Sequence, residues 1–132
     1  MLLRKGREYS WDLITSQNLK YRLFTSPAVI TGNEELVDFT FEDDATAGEV
    51  KTLLPGSWSR SEDSGTTIGA YPEQTFTYTA PADNEVKGSV ILTNDETTVL
   101  SATIGPGGPG NLPATPGPGD RVKATPRLDI TA

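Results

Sequence analysis

The chain has 132 residues and a formal net charge of −7, from 18 acidic and 11 basic residues, and it contains neither cysteine nor histidine. This length suits a single domain, and the missing thiols and imidazoles exclude disulfides, zinc knuckles, iron–sulfur sites and the commonest general base and metal ligand. The acidic balance disfavours nucleic acid and anionic lipid as partners, because both repel a negative surface.

The sequence has no apolar run near the roughly 20 residues that span a bilayer, and its first residues lack the apolar core and cleavage site of a signal peptide. Most hydrolase, oxidoreductase and metalloenzyme classes are improbable without cysteine or histidine. We therefore expect a non-enzymatic protein with no cofactor or metal that binds neither nucleic acid nor membrane. We expect it to be made in the cytoplasm and kept there or assembled into something larger.

Residues 1–17 predict a short N-terminal helical arm that stops near Asn18. Its apolar side is expected to use Leu3, Arg7, Tyr9, Trp11, Leu13 and Ile14. The simpler interpretation is that Trp11 and Ile14 cover one end of a sheet, and the alternative is an arm that reaches a neighbouring subunit. Residues 18–132 are expected to form one β-sandwich domain.

Residues 19–25 alternate in polarity and predict a strand with Leu19, Tyr21 and Leu23 on one face and Lys20, Arg22 and Phe24 on the other. An acidic segment follows around Val37, Phe39 and Phe41. Its run of Glu42, Asp43 and Asp44 lacks the glycine and the closing glutamate of a calcium-binding loop. A solvated loop is therefore expected there.

The middle of the chain alternates short strands with turns. Residues 49–54 predict a strand that Pro55–Gly56 stops, and Trp58 is expected to fill an end of the core. Residues 59–69 are interpreted as a polar stretch that turns at Gly65. Further strands are predicted at 73–79, 86–93 and 97–104; the last two form a hairpin, with a bulge at Gly88.

The last part of the chain pairs a loop with a strand. Residues 105–120 are rich in glycine and proline, which make up 11 of the 16, and residues 121–132 alternate, with Val122, Ala124, Pro126, Leu128 and Ile130 on the apolar face. Pro126 cannot donate to a ladder, so it is expected at an edge or a bulge. The predicted fold is an all-β, antiparallel β-sandwich or flattened barrel of six to seven strands with a short N-terminal helix.

Three chemical motifs can be drawn from the sequence. Gly105, Gly107 and Gly110 satisfy a dinucleotide fingerprint, but the prolines that follow forbid the helix it needs. Carboxylate pairs for glycoside hydrolysis can be drawn from Asp38, Glu42, Glu62, Asp63 and Glu73, and a sugar-stacking platform from Trp11, Trp58, Tyr71 and Tyr78. No catalytic residue is predicted. The Gly/Pro-rich loop is interpreted either as a tolerated insertion or as a reaching element that docks on a neighbour.

The order of these elements resembles a family of small virion proteins of tailed bacteriophages. The residues that carry the resemblance are, in order, GREYSWDLITSQN, LKYRLFT, LVDFTFED, Trp58, YPEQTFTYTAP, VKGSVILTNDETTVLSATI and GDRVKATPRLDIT. The resemblance covers most of the chain, and its motifs are structural rather than chemical. The chain departs from it at residues 105–119, which are richer in proline and glycine than the family's short loop.

The resemblance implies a non-enzymatic structural protein of the virion. It implies capsid decoration, in which a cement protein on the outer surface binds the major capsid protein and copies of itself as a homotrimer. A tail or baseplate component and a carbohydrate-binding module are the alternatives. The expected partner contacts are Leu2, Leu3, Arg4, Arg7, Pro106, Pro109, Asn111, Leu112, Pro113, Pro116 and Pro118.

Overall fold

A computed structural model of the chain describes residues 1–42, 50–82, 84–105 and 111–131. Its fold is mostly β, with antiparallel sheets in a sandwich-like arrangement and one short N-terminal helix, as predicted. The described residues form one α-helix and ten strands. Their bounds are α1 Arg4–Thr15, β1 Leu19–Ser26, β2 Thr40–Phe41, β3 Lys51–Leu53, β4 Ser59–Asp63, β5 Thr66–Ala70, β6 Gln74–Thr77, β7 Gly88–Thr93, β8 Val99–Ile104, β9 Arg121–Ala124 and β10 Arg127–Thr131.

The strands form two sheets and a separate ribbon. The first sheet has the order β2-β1-β7-β8, and β3 also pairs with β1. The second sheet has the order β10-β5-β4, and β6 pairs with β9 as a two-stranded ribbon. Every pairing between these strands is antiparallel. The main core lies between the first sheet and the other elements, and includes Leu19, Tyr21, Leu53, Phe76, Val122 and Leu128.

The first sheet is covered on both faces. The predicted inward residues of β1, among them Tyr21 and Leu23, lie in the main core, but Phe24 on the opposite face is buried as well. It packs with Phe39, Val90 and Leu92 in a second cluster. Because β7 is the central partner of β1 and β8, residues 88–92 are buried without interruption. Strands covered on both faces are expected to read as continuous apolar runs.

Two segments of the chain differ from the prediction. The stretch interpreted as polar, residues 59–69, is a hairpin of β4 and β5, turning at Ser64 and Gly65, which both have positive φ. The closing strand is two strands, because Pro126 interrupts it: β9 joins the ribbon and β10 joins the second sheet. Short strands of this kind explain why ten strands form where six to seven were predicted.

The predicted bulge at Gly88 is also wrong. The register of β7 and β8 shifts between Ile91 and Leu92, three residues further along. Gly88 instead lies against the neighbouring strand, where a Cβ would come within 2.0 Å of the Thr103 carbonyl oxygen. The glycine is therefore required for close packing rather than for an irregular strand.

The described part of the Gly/Pro-rich loop packs on the body of the protein. Leu112 is 1% exposed, Pro116 is buried, and Ala114 exchanges backbone hydrogen bonds of 2.8 and 3.0 Å with Val86. The Pro116 carbonyl also accepts a hydrogen bond of 3.0 Å from the Ala82 amide. Residues 111–116 are therefore part of the core and its cover, not an extended reaching element; residues 106–110 lie outside the described part.

Candidate functional site

Helix α1 is tied to the second sheet by one buried cation. The Arg7 side chain donates 3.0 Å to the Glu62 carboxylate, 3.3 Å to the Thr67 hydroxyl and 3.2 Å to the Leu2 carbonyl. Thr67 donates 2.6 Å to the other oxygen of Glu62. This hydrogen bond and the Arg7 guanidinium hold the pKa of Glu62 below its usual range. Arg7 is 7% exposed, so it anchors the helix instead of supplying the partner contact predicted for it.

Packing of aromatic rings completes the attachment of α1. Trp11 lies edge-on to Trp58, with ring centroids 6.3 Å apart, and Trp58 lies edge-on to Tyr71 at 5.2 Å. The indole of Trp11 rests on Gly69 of β5, and the partly buried Ile14 packs against the main core. The prediction that the inner side of the helix covers the sheet is confirmed for Trp11. The helix is therefore fixed to the body along its inner side.

The outer side of α1 carries apolar side chains that nothing in the described residues covers. Leu2 lies over Gly6, and Tyr9 and Leu13 follow at helical spacing, so Gly6, Tyr9 and Leu13 fall within about 60° around the helix axis. Tyr9 is 67% and Leu13 is 51% exposed. We call Leu2, Gly6, Tyr9 and Leu13 the outer helix face. The prediction that Tyr9 and Leu13 share one apolar side with Trp11 is wrong, because the helix has two.

Exposed apolar residues concentrate in this region of the molecule. Of the eight large hydrophobic residues that the described part of the chain exposes, five precede residue 14: Met1, Leu2, Leu3, Tyr9 and Leu13. Single exposed hydrophobic residues are ordinary, but a cluster on one surface marks an interaction site. The outer helix face is therefore the candidate functional site of this protein.

Charged residues border one edge of the outer helix face. Lys5 and Asp12 lie two turns apart on the same edge, and both side chains are largely exposed. Asp12 also accepts 3.1 Å from Arg60 of β4, whose guanidinium lies 5.5 Å from the centre of the Trp11 ring. That pair fixes the position of the carboxylate while leaving it 64% exposed.

Apart from Arg7, the predicted contact residues fall into four groups. Leu2, Leu3 and Arg4 are exposed, with Leu2 belonging to the outer helix face, and Pro118 is exposed at a turn. Leu112 and Pro116 are buried by the protein's own fold, so their side chains do not serve as predicted contacts, while Asn111 and Pro113 are half-buried. Pro106 and Pro109 lie outside the described residues. The N-terminal segment therefore offers more of the predicted contact residues to a partner than the described part of the Gly/Pro-rich loop does.

The aromatic residues of the candidate sugar-stacking platform lie in the core instead. Trp11, Tyr71 and Tyr78 are buried, and Trp58 is half-buried between Trp11 and Tyr71. A stacking platform needs exposed ring faces, which these residues do not present. They do not form the carbohydrate site that the sequence left open.

Two of the candidate carboxylates have partners that are distant in the sequence. Glu42, predicted to lie in a solvated loop, is buried and accepts 3.1 Å from the Tyr78 hydroxyl. Burial and the nearby Glu42 carboxylate raise the pKa of Tyr78. Glu62 belongs to the Arg7 anchor. Asp43 and Asp44, the other members of the acidic run, lie outside the described residues. Sequence reasoning missed the Glu42–Tyr78 pair because its partners are 36 residues apart.

The remaining concavities offer little chemistry. A groove of about 500 Å³ is lined by residues 34–37 and 97–99, and the lining of a cavity of about 160 Å³ includes Glu73, Leu112 and Lys123. In the groove, Glu34 accepts hydrogen bonds from Thr31 and Gly32, which lower its pKa to about 2. No group of three metal-binding side chains occurs in the described ranges, and no helix there is long and apolar enough to cross a membrane.

Comparison with known proteins adds no relative: the chain matches no family model, no curated protein and no solved structure.

Proposed function

We propose that this chain is a non-enzymatic structural protein of a tailed-bacteriophage particle, where it decorates the outer capsid surface as a cement protein. The observation that carries the proposal is the outer helix face, an apolar surface held on a rigid body. Tyr9 and Leu13 project from a helix whose opposite side is anchored through Arg7 and Trp11. Such a surface supports assembly, because burying it on a partner gains the free energy of apolar burial at little cost in ordering the chain.

Rigid presentation matters for a protein that works in many copies. A single helix face is a small contact, and each copy alone binds weakly. Copies arranged on a symmetric shell act together, so that weak contacts combine into strong attachment. Cement proteins need this multivalency and no chemistry. The acidic net charge of −7 keeps free copies apart before assembly.

The phage setting rests on the resemblance in the order of elements. A short helix precedes a first strand of LKYRLFT type, and the hairpin of β7 and β8 and the closing β9 and β10 follow in the expected order. The proposed partners are the major capsid protein and other copies of the chain, as a trimer. The proposed location is the outer surface of the virion.

Quantitative mass spectrometry of purified particles from a phage that encodes this chain tests the proposal. A cement protein is expected at hundreds of copies per particle, in a fixed ratio to the major capsid protein. A few to dozens of copies would instead identify a tail or baseplate component. Absence from the particles would overturn a virion role altogether.

Binding back to particles stripped of the chain tests the surface itself. Leu13→Gln is expected to weaken binding, because it places an amide in the apolar contact. Val37→Gln is the matched control, since Val37 is 86% exposed and lies in the groove formed by residues 34–37 and 97–99, outside the outer helix face. Equal binding by both variants would exclude the outer helix face from the attachment.

A further inference from the structure

We infer that the outer helix face binds a second copy of this chain, with the two α1 helices packed antiparallel about a two-fold axis near residues 8 and 9. The inference deepens the proposed function and rests on it for the setting, because it names the partner of the same surface. It requires only α1 and the residues that immediately precede it. A contact of this kind is isologous, so each copy supplies the same patch.

The apolar residues are distributed so that the face complements itself. With an axis near residues 8 and 9, Tyr9 lies at the centre of the contact, and Leu13 lies at its end, opposite the first turn of the partner subunit's α1. The central residue is the largest exposed side chain of the face, and its ends are leucines on both sides. The absence of a side chain at Gly6 lets Leu2 lie directly on the helix backbone, where it becomes part of the same apolar face.

Charge selects the antiparallel orientation. In an antiparallel helix pair, residues on one edge of the first helix face residues on the same edge of the second. Lys5 and Asp12 share an edge and lie symmetrically about the midpoint between residues 8 and 9, so Lys5 faces Asp12 of the partner subunit, twice by symmetry. A parallel pair would instead oppose Lys5 to its own copy and Asp12 to its own copy. The carboxylate of Asp12 has acceptor capacity beyond its bond to Arg60.

The size of the contact sets the expected affinity. One helix face buries less than the roughly 1,200 Å² at which stable interfaces begin, so we expect a dissociation constant on the order of 100 µM. Such a dimer forms slightly in dilute solution and readily at the local concentration of an assembled shell. It leaves the other surfaces of the protein free for the major capsid protein and for contacts about a three-fold axis.

Sedimentation equilibrium of the full chain, from about 10 µM to about 1 mM, tests the inference. Wild type is expected to associate reversibly. Lys5→Glu and Asp12→Lys are each expected to weaken self-association about tenfold, because each puts like charges face to face. An equimolar mixture of these two variants is expected to regain association, since the two acidic side chains at positions 5 and 12 of the first variant then face the two basic side chains at the same positions of the second. Failure of the mixture to exceed the separate variants would overturn the antiparallel pairing.

Leu13→Gln and Val37→Gln provide the apolar test and its control. The first is expected to lose self-association and the second to keep it, with circular dichroism verifying that both variants fold. Wild type that stays monomeric at about 1 mM refutes the pairing; if the protein is nevertheless found at hundreds of copies per particle, the proposed function stands. If the protein dimerises but is absent from particles, the antiparallel pairing stands and the proposed function is overturned.

Discussion

Replacing Gly69 by alanine tests how α1 is attached to the second sheet. A Cβ at this position would lie 2.1 Å from Nε1 and 2.8 Å from Cε2 of Trp11, and 3.1 Å from the Leu128 carbonyl oxygen. Ordinary contact between such atoms requires about 3.5 Å or more, so the indole must move by roughly 1.5 Å. Trp11 is held between β5 and the ring of Trp58, and it has little space for that movement.

The expected cost is about 1–3 kcal/mol of unfolding free energy, the usual range for adding a methyl group to a filled site. No hydrogen bond contributes, because the Trp11 N–H has no partner among the described residues. For a domain of this length, each kcal/mol corresponds to a fall in melting temperature of about 3–6 °C. Helix α1 is expected to loosen first, because displacing Trp11 also disturbs Arg7, which anchors the helix from the same side.

Thermal unfolding followed by circular dichroism measures the loss. Tryptophan fluorescence in a Trp58→Phe background reports on Trp11 alone, because the chain has two tryptophans. Gly56→Ala is the matched control: its Cβ would meet open space, and a change within about 0.5 kcal/mol is expected. A Gly69→Ala protein with the stability and emission of this control would refute the packing argument.

Three further predictions concern the sheets and the closing segment. Gly88→Ala should cost about 3 kcal/mol or more and lower the folded yield, because its clash is with the backbone of the neighbouring strand, which cannot rotate away. Leu112→Ala should cost about 2–5 kcal/mol in denaturant unfolding against a small effect for Leu54→Ala, which is half exposed; equal effects would contradict a core role for residues 111–116. Burial raises the pKa of Tyr21 from its ordinary value of 10.0 to about 12, so the folded state holds this proton more tightly than the unfolded state does. The free energy of unfolding should therefore be constant in this respect below about pH 10 and should fall as the pH rises toward 12. Tyr21→Phe should reduce that alkaline loss, and an unchanged slope between about pH 10 and 11.5 would contradict it.

Local pattern predicted well wherever one face of an element meets the core. The alternation of β1 and β6 and the hairpin of β7 and β8 follow from side chains that point to opposite faces of a strand. The turn at Gly65 also follows, since a tight hairpin requires positive φ. The hairpin strands around it were missed because β4 is an edge strand of charged and polar residues, which carries no apolar signal.

The candidate site was likewise predicted in part from local pattern and in part missed. Sequence indicated an N-terminal helix with Leu2, Leu3 and Arg4 available for contact, but it placed Tyr9 and Leu13 on the same side as Trp11 and assigned a partner contact to the buried Arg7. A helix with two apolar sides cannot be oriented from periodicity alone, since either side satisfies the same spacing. The Arg7–Glu62 ion pair spans 55 residues, and only the folded chain brings its members together.

What the sequence determined by itself is the mostly antiparallel β fold with a helix at the start, because turn residues and period-two alternation act over a few residues. The tertiary structure decided which apolar side of α1 faces the core, where the closing strand divides at Pro126, and that Leu112 and Pro116 belong to the body. These outcomes depend on contacts between distant segments, whose free energy of burial outweighs local preference. The exposed outer helix face is the consequence of that choice, and its partner is the question that the charge-exchange experiment answers.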